Sequence, residues 1–188
     1  MDLAPVFRSV VERCDAVMGL DRPLAQLFND GALLARTDYA QPALYALSAG
    51  LGALWRSWGI EPVAVLGHSV GEYAAAHLAG VLTLEDGARL IATRGRLMQA
   101  LPAGGGMAAL LGTEEMVRDL LARHPEVELA GVNSPKAMTV AGPAAAIDRL
   151  LADPALSSGM AGQKLTVSHA FHSKLLEPML DELAAAAN

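Results

Sequence analysis

Ser69 stands in the run Gly67-His68-Ser69-Val70-Gly71, with the apolar residues 62–66 before it and an alanine-rich stretch from Glu72 after it. The pattern reads as strand, sharp turn, helix. Glycines two positions to either side of the serine let the backbone turn tightly and present its hydroxyl. The first amides of the following helix point at whatever that hydroxyl attacks, and the helix dipole favours negative charge there. Such a serine is an acyl-transfer nucleophile with half of an oxyanion hole built in. The competing reading is a buried strand–helix turn of any parallel α/β domain; the apolar run before it and the helix after it favour the nucleophile.

A nucleophilic serine needs a base, and five histidines are available. His124 precedes a proline at a helix end and is expected at the surface. His77 lies inside the helix after the elbow and is expected to pack there. His68, beside the nucleophile, points away if Ser69 points into a cleft, and so supports the elbow rather than acting as base. His169 and His172 remain. They lie three apart in an extended or turning segment with no third metal ligand in sight, so His172 is a candidate general base for Ser69.

Residues 83–101 read as a helix, with Thr83 as cap and Asp86 answering it three residues on. Leu90, Arg94, Leu97 and Leu101 recur on one face of it, while Arg89 and Arg96 fall on another. A cation in an apolar stripe is unfavourable by roughly several kcal/mol unless an anion meets it. That anion is either an internal carboxylate or a ligand, and the pattern leaves both open. Glu72 complements the dipole of the elbow helix, Asn133 reads as a turn residue, and Met98, Met107 and Met138 read as core filling.

The elements that must position these groups follow from periodicity. Residues 3–18 form an amphipathic helix with Asp2 as cap. Residues 24–28 form a second, short helix. Residues 42–58 form a third, nearly apolar, with Pro42 in its first turn and Gly59 at its stop. After the helix at 83–101, Gly104-Gly105-Gly106 breaks the chain and acts as a hinge. Strands are expected at 107–111, 127–132, 137–140 and 164–168, with a turn at Asn133-Ser134-Pro135, and helices at 114–123 and 144–151. This β-α-β-β-α-β order matches a split-βαβ, ferredoxin-like unit. The expected fold is α/β: a parallel-sheet, α/β-hydrolase-like large subdomain (1–106 and 169–188) carrying the elbow, with a small ferredoxin-like subdomain (107–168) inserted. The chain returns from that insert at residues 168–173, where His172 can come to face Ser69.

Composition narrows the function. Of 188 residues, 53% are hydrophobic and 18% charged, so a large core is expected and disorder is not. Aromatics make up only 4%, which leaves packing to small aliphatic residues. A net charge of −6 argues against nucleic acid as a partner. The single cysteine, Cys14, excludes an internal disulfide and reads as a small core residue. No signal peptide opens the sequence, and the longest uncharged stretch, 39–55, falls short of the ~20 apolar residues needed to span a bilayer. A cytoplasmic, membrane-free protein is expected.

The motifs GHSVGE, TRGRLMQ, GVNSP and HAFHS occur in that order. Together they resemble the malonyl-type acyltransferase domain of modular polyketide synthases, related to bacterial malonyl-CoA:acyl-carrier-protein transacylases and fatty acid synthase acyltransferases. The resemblance covers essentially the whole chain. It implies Ser69 as nucleophile, His172 as its base, the Val70 amide in the oxyanion hole, and Arg94 gripping the free carboxylate of a malonyl group. His68, His169 and Phe171 complete the implied substrate-binding set. It implies no bound cofactor and no metal. Malonyl-CoA is the acyl donor, the phosphopantetheine thiol of an acyl carrier protein is the acceptor, and ketosynthase and linker domains are neighbours. His169-Ala170-Phe171-His172 resembles the malonyl signature, where methylmalonyl-type domains resemble YASH. Phe171 would then fill the space an extra methyl needs. A small aliphatic residue after the serine, here Val70, fits the malonyl type as well.

Two departures go with the resemblance. Family domains begin with a strand and a GQGxQ-like turn whose glutamine completes the oxyanion hole, and they continue past the HAFHS helix to a segment that orients the histidine. Neither is present in these 188 residues, so a central fragment is expected, with open sheet edges, exposed apolar surface, weak stability and poor activity on its own. Two alternatives stand beside the acyltransferase. An α/β-hydrolase-type esterase or thioesterase would take Asp148 or Asp153 as its acid, and a non-catalytic scaffold would merely pack between synthase domains.

Overall fold

A computed structural model describes residues 4–157, 159–167 and 169–187. The chain divides into two compact units, Met1–Gln99 with Glu182–Asn188, and Ala100–Asp181.

Among its described residues the first unit is built from helices: α1 (Pro5–Met18), α2 (Leu24–Leu27), α3 (Thr37–Ser57), α4 (Gly71–Leu78) and α5 (Leu84–Ala100). Phe7, Val10, Val11, Cys14 and Met18 give α1 the expected buried stripe. It meets Tyr45, Ala46 and Ala49 of α3 and Ala88 and Ile91 of α5 in one core. Pro5 occupies the first position of α1, where its missing N–H is no loss, and Gly19, at φ +64°, stops the helix. The expected start at residue 3 and the Asp2 cap lie outside the described residues.

Helix α3 begins at Thr37, five residues ahead of the expected start, and Pro42 lies inside it. A proline there removes one hydrogen bond from the second turn. Packing offsets the loss. A Cβ added to Gly95 of α5 would sit 3.0 Å from the Thr37 carbonyl oxygen, so α5 presses against the turn that precedes the proline. Gly59 ends the helix as expected, at φ +80°.

Residues 62–66 do not form the expected strand. No described segment pairs with them, the chain bends at Val63, and Val63 and Leu66 are exposed. A strand exists through its partners' hydrogen bonds, and an apolar run specifies the preference but not the partner. Thr83 does cap α5. Its Oγ1 accepts from the Asp86 amide at 3.0 Å and donates to the Asp86 carboxylate at 2.6 Å.

The second unit contains β1 (Gly105–Leu111), α6 (Glu114–Arg123), β2 (Glu128–Ser134), β3 (Ala137–Pro143), α7 (Ala144–Leu151) and β4 (Ala161–Lys164). All pairings are antiparallel and the sheet order is β2-β3-β1-β4. Leu110, Met138 and Val140 pack on Val117, Leu120, Ile147 and Leu150 of the two helices. The β-α-β-β-α-β sequence of elements is the expected one, while several strand boundaries differ. Strand β1 starts at Gly105, inside the triple glycine. The turn between β2 and β3 is Pro135-Lys136, with Asn133 and Ser134 still in β2, whose pairing is irregular there. Strand β4 precedes the expected 164–168. It is a fully exposed edge strand, Ala-Gly-Gln-Lys, with no apolar alternation to announce it. Leu165 donates one more hydrogen bond to the Met107 carbonyl, and the Ser168 end of the expectation lies outside the described residues. A 3-10 turn, Lys174–Met179, and α8 (Leu180–Ala186) follow.

No helix is long and apolar enough to cross a membrane among the described residues. No group of three or more His, Cys, Asp or Glu side chains among them could hold a metal ion.

Candidate active site

Ser69 has φ +52°, a left-handed conformation that a non-glycine residue adopts under constraint. The constraint is local. Gly71, Glu72 and Tyr73 donate their amides to the carbonyls of His68, Ser69 and Val70, winding the chain directly into α4. Gly67 has no room for a side chain, since a Cβ there would lie 2.1 Å from the Glu72 nitrogen. The carboxylate of Glu72 turns back and accepts the Gly67 amide at 3.2 Å. The elbow is thus tied from both ends, and Glu72 does more than complement a dipole. Val70 is the N-cap of α4, and no hydrogen bond formed by its amide is found among the described residues. His68 is exposed.

Arg94 comes to this elbow from α5. It is 9% exposed, and its Nη2 lies 3.5 Å from the Ser69 hydroxyl. Among the described residues no carboxylate pairs with it. Its partners are the amide oxygen of Gln41, which accepts from Nη1, and the face of the Tyr73 ring, 5.8 Å from the guanidinium carbon. Burial lowers the Arg94 pKa from its ordinary value, with Tyr73 opposing the shift. The guanidinium stays protonated, because an arginine does not give up its proton in a protein. Gln41 is 5% exposed, and its amide nitrogen, Nε2, donates to the Thr37 hydroxyl at 2.7 Å and to the Met98 sulfur at 3.1 Å.

Neither Gln41 nor Tyr73 was expected at the site. The signal for Gln41 is positional: it recurs at helical spacing with the buried Tyr45, Ala46 and Ala49, so it stands on the core face of α3 opposite a cation in need of a partner.

His169, Phe171 and His172 belong to the second unit. His169 is 5% exposed, and its Nε2 lies 3.1 Å from the Leu101 carbonyl, so that nitrogen carries the proton and donates. Phe171 packs on the cluster of Met107, Ala141 and Ala170, with its ring 6.2 Å from that of His169. His172 is exposed and, like Ser69, has a positive φ, +57°.

The other histidines are engaged. His77 Nδ1 lies 3.2 Å from the Leu82 carbonyl within its own turn. His124 is less exposed than its place at a helix end suggested: its ring is 15% exposed and meets the Asp153 carboxylate at 3.0 Å. Asp153 also accepts the Ala155 amide and pairs with Arg123, and these contacts hold its carboxyl far below the usual range. Asp148 pairs with Lys164 at 2.5 Å. Both acids that a hydrolase triad could draw on therefore have other partners.

The whole chain, residues 1–188, matches the family model described as acyl transferase domain. The chain is 48% identical over 186 residues to the mycoketide-CoA synthase of Mycobacterium tuberculosis, covering 98% of this chain and 4% of the synthase. Among solved structures it resembles the acyltransferase domain from the second module of the salinomycin polyketide synthase. That match has a TM-score of 0.89 and 42% identity, over 97% of this chain and 44% of the other. It also resembles the malonyl CoA-acyl carrier protein transacylase of Clostridium perfringens, with a TM-score of 0.89 and 29% identity, over 98% of this chain and 60% of the other. The chain thus spans less than two thirds of the proteins it matches, and with an elbow serine beside a buried arginine it belongs to the acyl transferase domain family.

Proposed function

We propose that this chain carries the reacting residues of an acyltransferase that moves a malonyl group from malonyl-CoA to the phosphopantetheine thiol of an acyl carrier protein, as part of a polyketide synthase. The observation that carries this reading is the Arg94 guanidinium, buried 3.5 Å from the Ser69 hydroxyl with only neutral partners among the described residues. A buried cation held by an amide and an aromatic face is short of one anion. An acyl group that ends in a carboxylate supplies it, at the distance at which its other end meets Ser69. A neutral ester would leave the cation uncompensated, which disfavours the esterase reading.

The chemistry follows from the roles. His172 accepts the Ser69 proton, and the hydroxyl oxygen attacks the thioester carbonyl. The Val70 amide and a second donor hold the resulting oxyanion. Collapse expels the CoA thiol, which takes its proton from His172 and leaves a malonyl ester on Ser69. The malonyl carboxylate is held bidentate by Arg94. The carrier thiol then repeats the steps in reverse roles, giving ping-pong kinetics. Phe171, with His169 behind it, sets the preference for the unbranched acyl group, and His68 borders the substrate path. The protein works without a bound cofactor, in the cytoplasm, beside ketosynthase and linker domains.

We assign residues 107–168 as the small subdomain and residues 1–106 and 169–188 as the large one; within the chain as it stands, 100–106 and 169–181 group with the small subdomain's compact unit. Residues 62–66 serve in the large subdomain as a strand of a parallel sheet. In support, Val63 and Leu66 are exposed, and so is the apolar line Leu44, Leu47, Leu51 and Trp55 along α3. Intact mass measured after exposure to malonyl-CoA tests the function. A malonyl adduct on the wild type that is absent from Ser69→Ala is the expected result, and an adduct on both removes Ser69 from the mechanism.

A further inference from the structure

We infer that Gly105 and His169 are positioning residues, which clamp the segment 169–175 to the start of β1 and so fix the backbone of His172. The inference rests on the reading of His172 as the base.

Contacts within the second unit make the clamp on both sides of His172. The buried His169 donates from Nε2 to the Leu101 carbonyl at 3.1 Å, tying the segment to the chain that leads into β1. Gly105 is bare because the segment lies directly on it: a Cβ there would stand 2.3 Å from the Ala170 nitrogen and 2.9 Å from the Ala170 methyl. Ala170 itself is fully buried against Met107 and Ala141. On the far side of His172 the chain is tied again. The Ser173 hydroxyl donates to the Ala170 carbonyl at 2.8 Å and accepts the Leu175 amide at 3.3 Å. The Glu128 carboxylate of β2 accepts the Lys174 amide at 2.7 Å.

His172 sits between these anchors at φ +57°, a conformation that survives only where its surroundings over-determine it. Gly104, at φ +115°, makes the bend, and Gly105 provides the close approach. His169, expected in the substrate-binding set, also donates to a main-chain carbonyl. Its contribution to the reaction passes through the backbone of its neighbours.

A general base misplaced by a fraction of an ångström slows proton transfer without changing how the acyl-CoA binds. The test uses the longest natural protein that contains this chain, and reads kcat and KM for acyl-serine formation from malonyl-CoA. His169→Phe, which keeps the ring volume and removes the donor, should lower kcat about tenfold with KM within about twofold. His169→Gln, which keeps an N–H donor, should return kcat to within about threefold of wild type. Gly105→Ala reads the clamp from its other face and should lower kcat in the same way, so the clamp is tested even where one variant misfolds. A kcat unchanged in both His169→Phe and Gly105→Ala overturns the clamp, and so does a glutamine variant no better than the phenylalanine one. His172→Ala separates the two claims. A loss of about a hundredfold there, with no loss in the clamp variants, keeps the base and discards the clamp; no loss there discards both.

Discussion

Gln41 and Arg94 face each other across the core of the first unit, the amide oxygen accepting from the guanidinium. The pairing keeps one edge of the cation neutral-bonded and leaves Nη2 on the Ser69 side. A carboxylate at position 41 would compensate the charge internally. Gln41→Glu is therefore expected to cut malonyl loading by at least tenfold while acetyl loading stays within about threefold, because only the malonyl group competes with the new carboxylate for Arg94. Gln41→Leu leaves the guanidinium short of a partner, which costs about 1–3 kcal/mol of stability. Competition between malonyl-CoA and acetyl-CoA, with a melting curve on each variant, checks both; equal losses for the two donors would refute the division of labour.

Removing the cation itself gives a complementary result. Arg94→Ala takes away the proposed partner of the acyl carboxylate, and truncating one side of a buried charge pair costs about 2–5 kcal/mol. Malonyl loading should fall by that amount in transition-state free energy, with acetyl loading little changed. If both fall together, Arg94 supports the elbow, through its contacts to Ser69 and Tyr73, and does not select the acyl group.

The two glycines that flank the elbow serine are expected to respond in opposite ways. At Gly67 a methyl would meet the Glu72 nitrogen at 2.1 Å, so Gly67→Ala must displace α4 and should destabilise by about 3 kcal/mol, the top of the range for overpacking. At Gly71 a Cβ meets nothing within 4 Å and the residue begins a helix. Gly71→Ala should remain within about 1 kcal/mol of wild type, on the stabilising side. Thermal unfolding of the pair reads the difference, and equal melting temperatures would contradict it.

These glycines also mark how far the sequence carries. Local rules locate the turn, the Thr83 cap, the Arg94 stripe and the order of elements in the second unit, because each depends on spacings of three or four residues or on strict alternation. What stays hidden depends on distant partners. Gln41 looks like an interruption in an apolar helix until α5 places Arg94 beside it. Pro42 looks like a helix start because packing by Gly95 against Thr37 cannot be seen from either segment alone. Residues 62–66 carry the preference of a strand, yet no described segment pairs with them. Gly105 reads as part of a hinge for want of any sign that Ala170, sixty-five positions away, rests on it. Of the proposed site, then, the nucleophile and the cation are legible, and their supports are not.

Cys14 gives a prediction about pH. It is fully buried between α1 and the core, and burial pushes its thiol up to about 12 from an ordinary 9.0. The folded state holds the proton more tightly than the unfolded one. Its contribution to stability is therefore complete below pH 9 and declines as pH rises from there towards 12. At about pH 8, below the ordinary thiol pKa, the native thiol should resist a disulfide exchange reagent, with reaction appearing only as denaturant unfolds the first unit. Rapid reaction in native buffer would show that α1 opens readily.

Acyl selectivity offers the last test. Phe171 is packed against Met107, Ala141 and Ala170, so its ring has little freedom to yield to a bulkier acyl group. Replacing it by serine opens the volume of a ring, and His169→Tyr alongside keeps a hydroxyl donor for the Leu101 carbonyl. The double variant is expected to raise methylmalonyl transfer relative to malonyl by about 1–3 kcal/mol, the range typical of discrimination by one methyl group. A donor competition assay measures the ratio. Should it stay at the wild-type value while total activity holds, the space beside Phe171 does not receive the branch, and selectivity must lie in the first unit, around Val70 and Arg94.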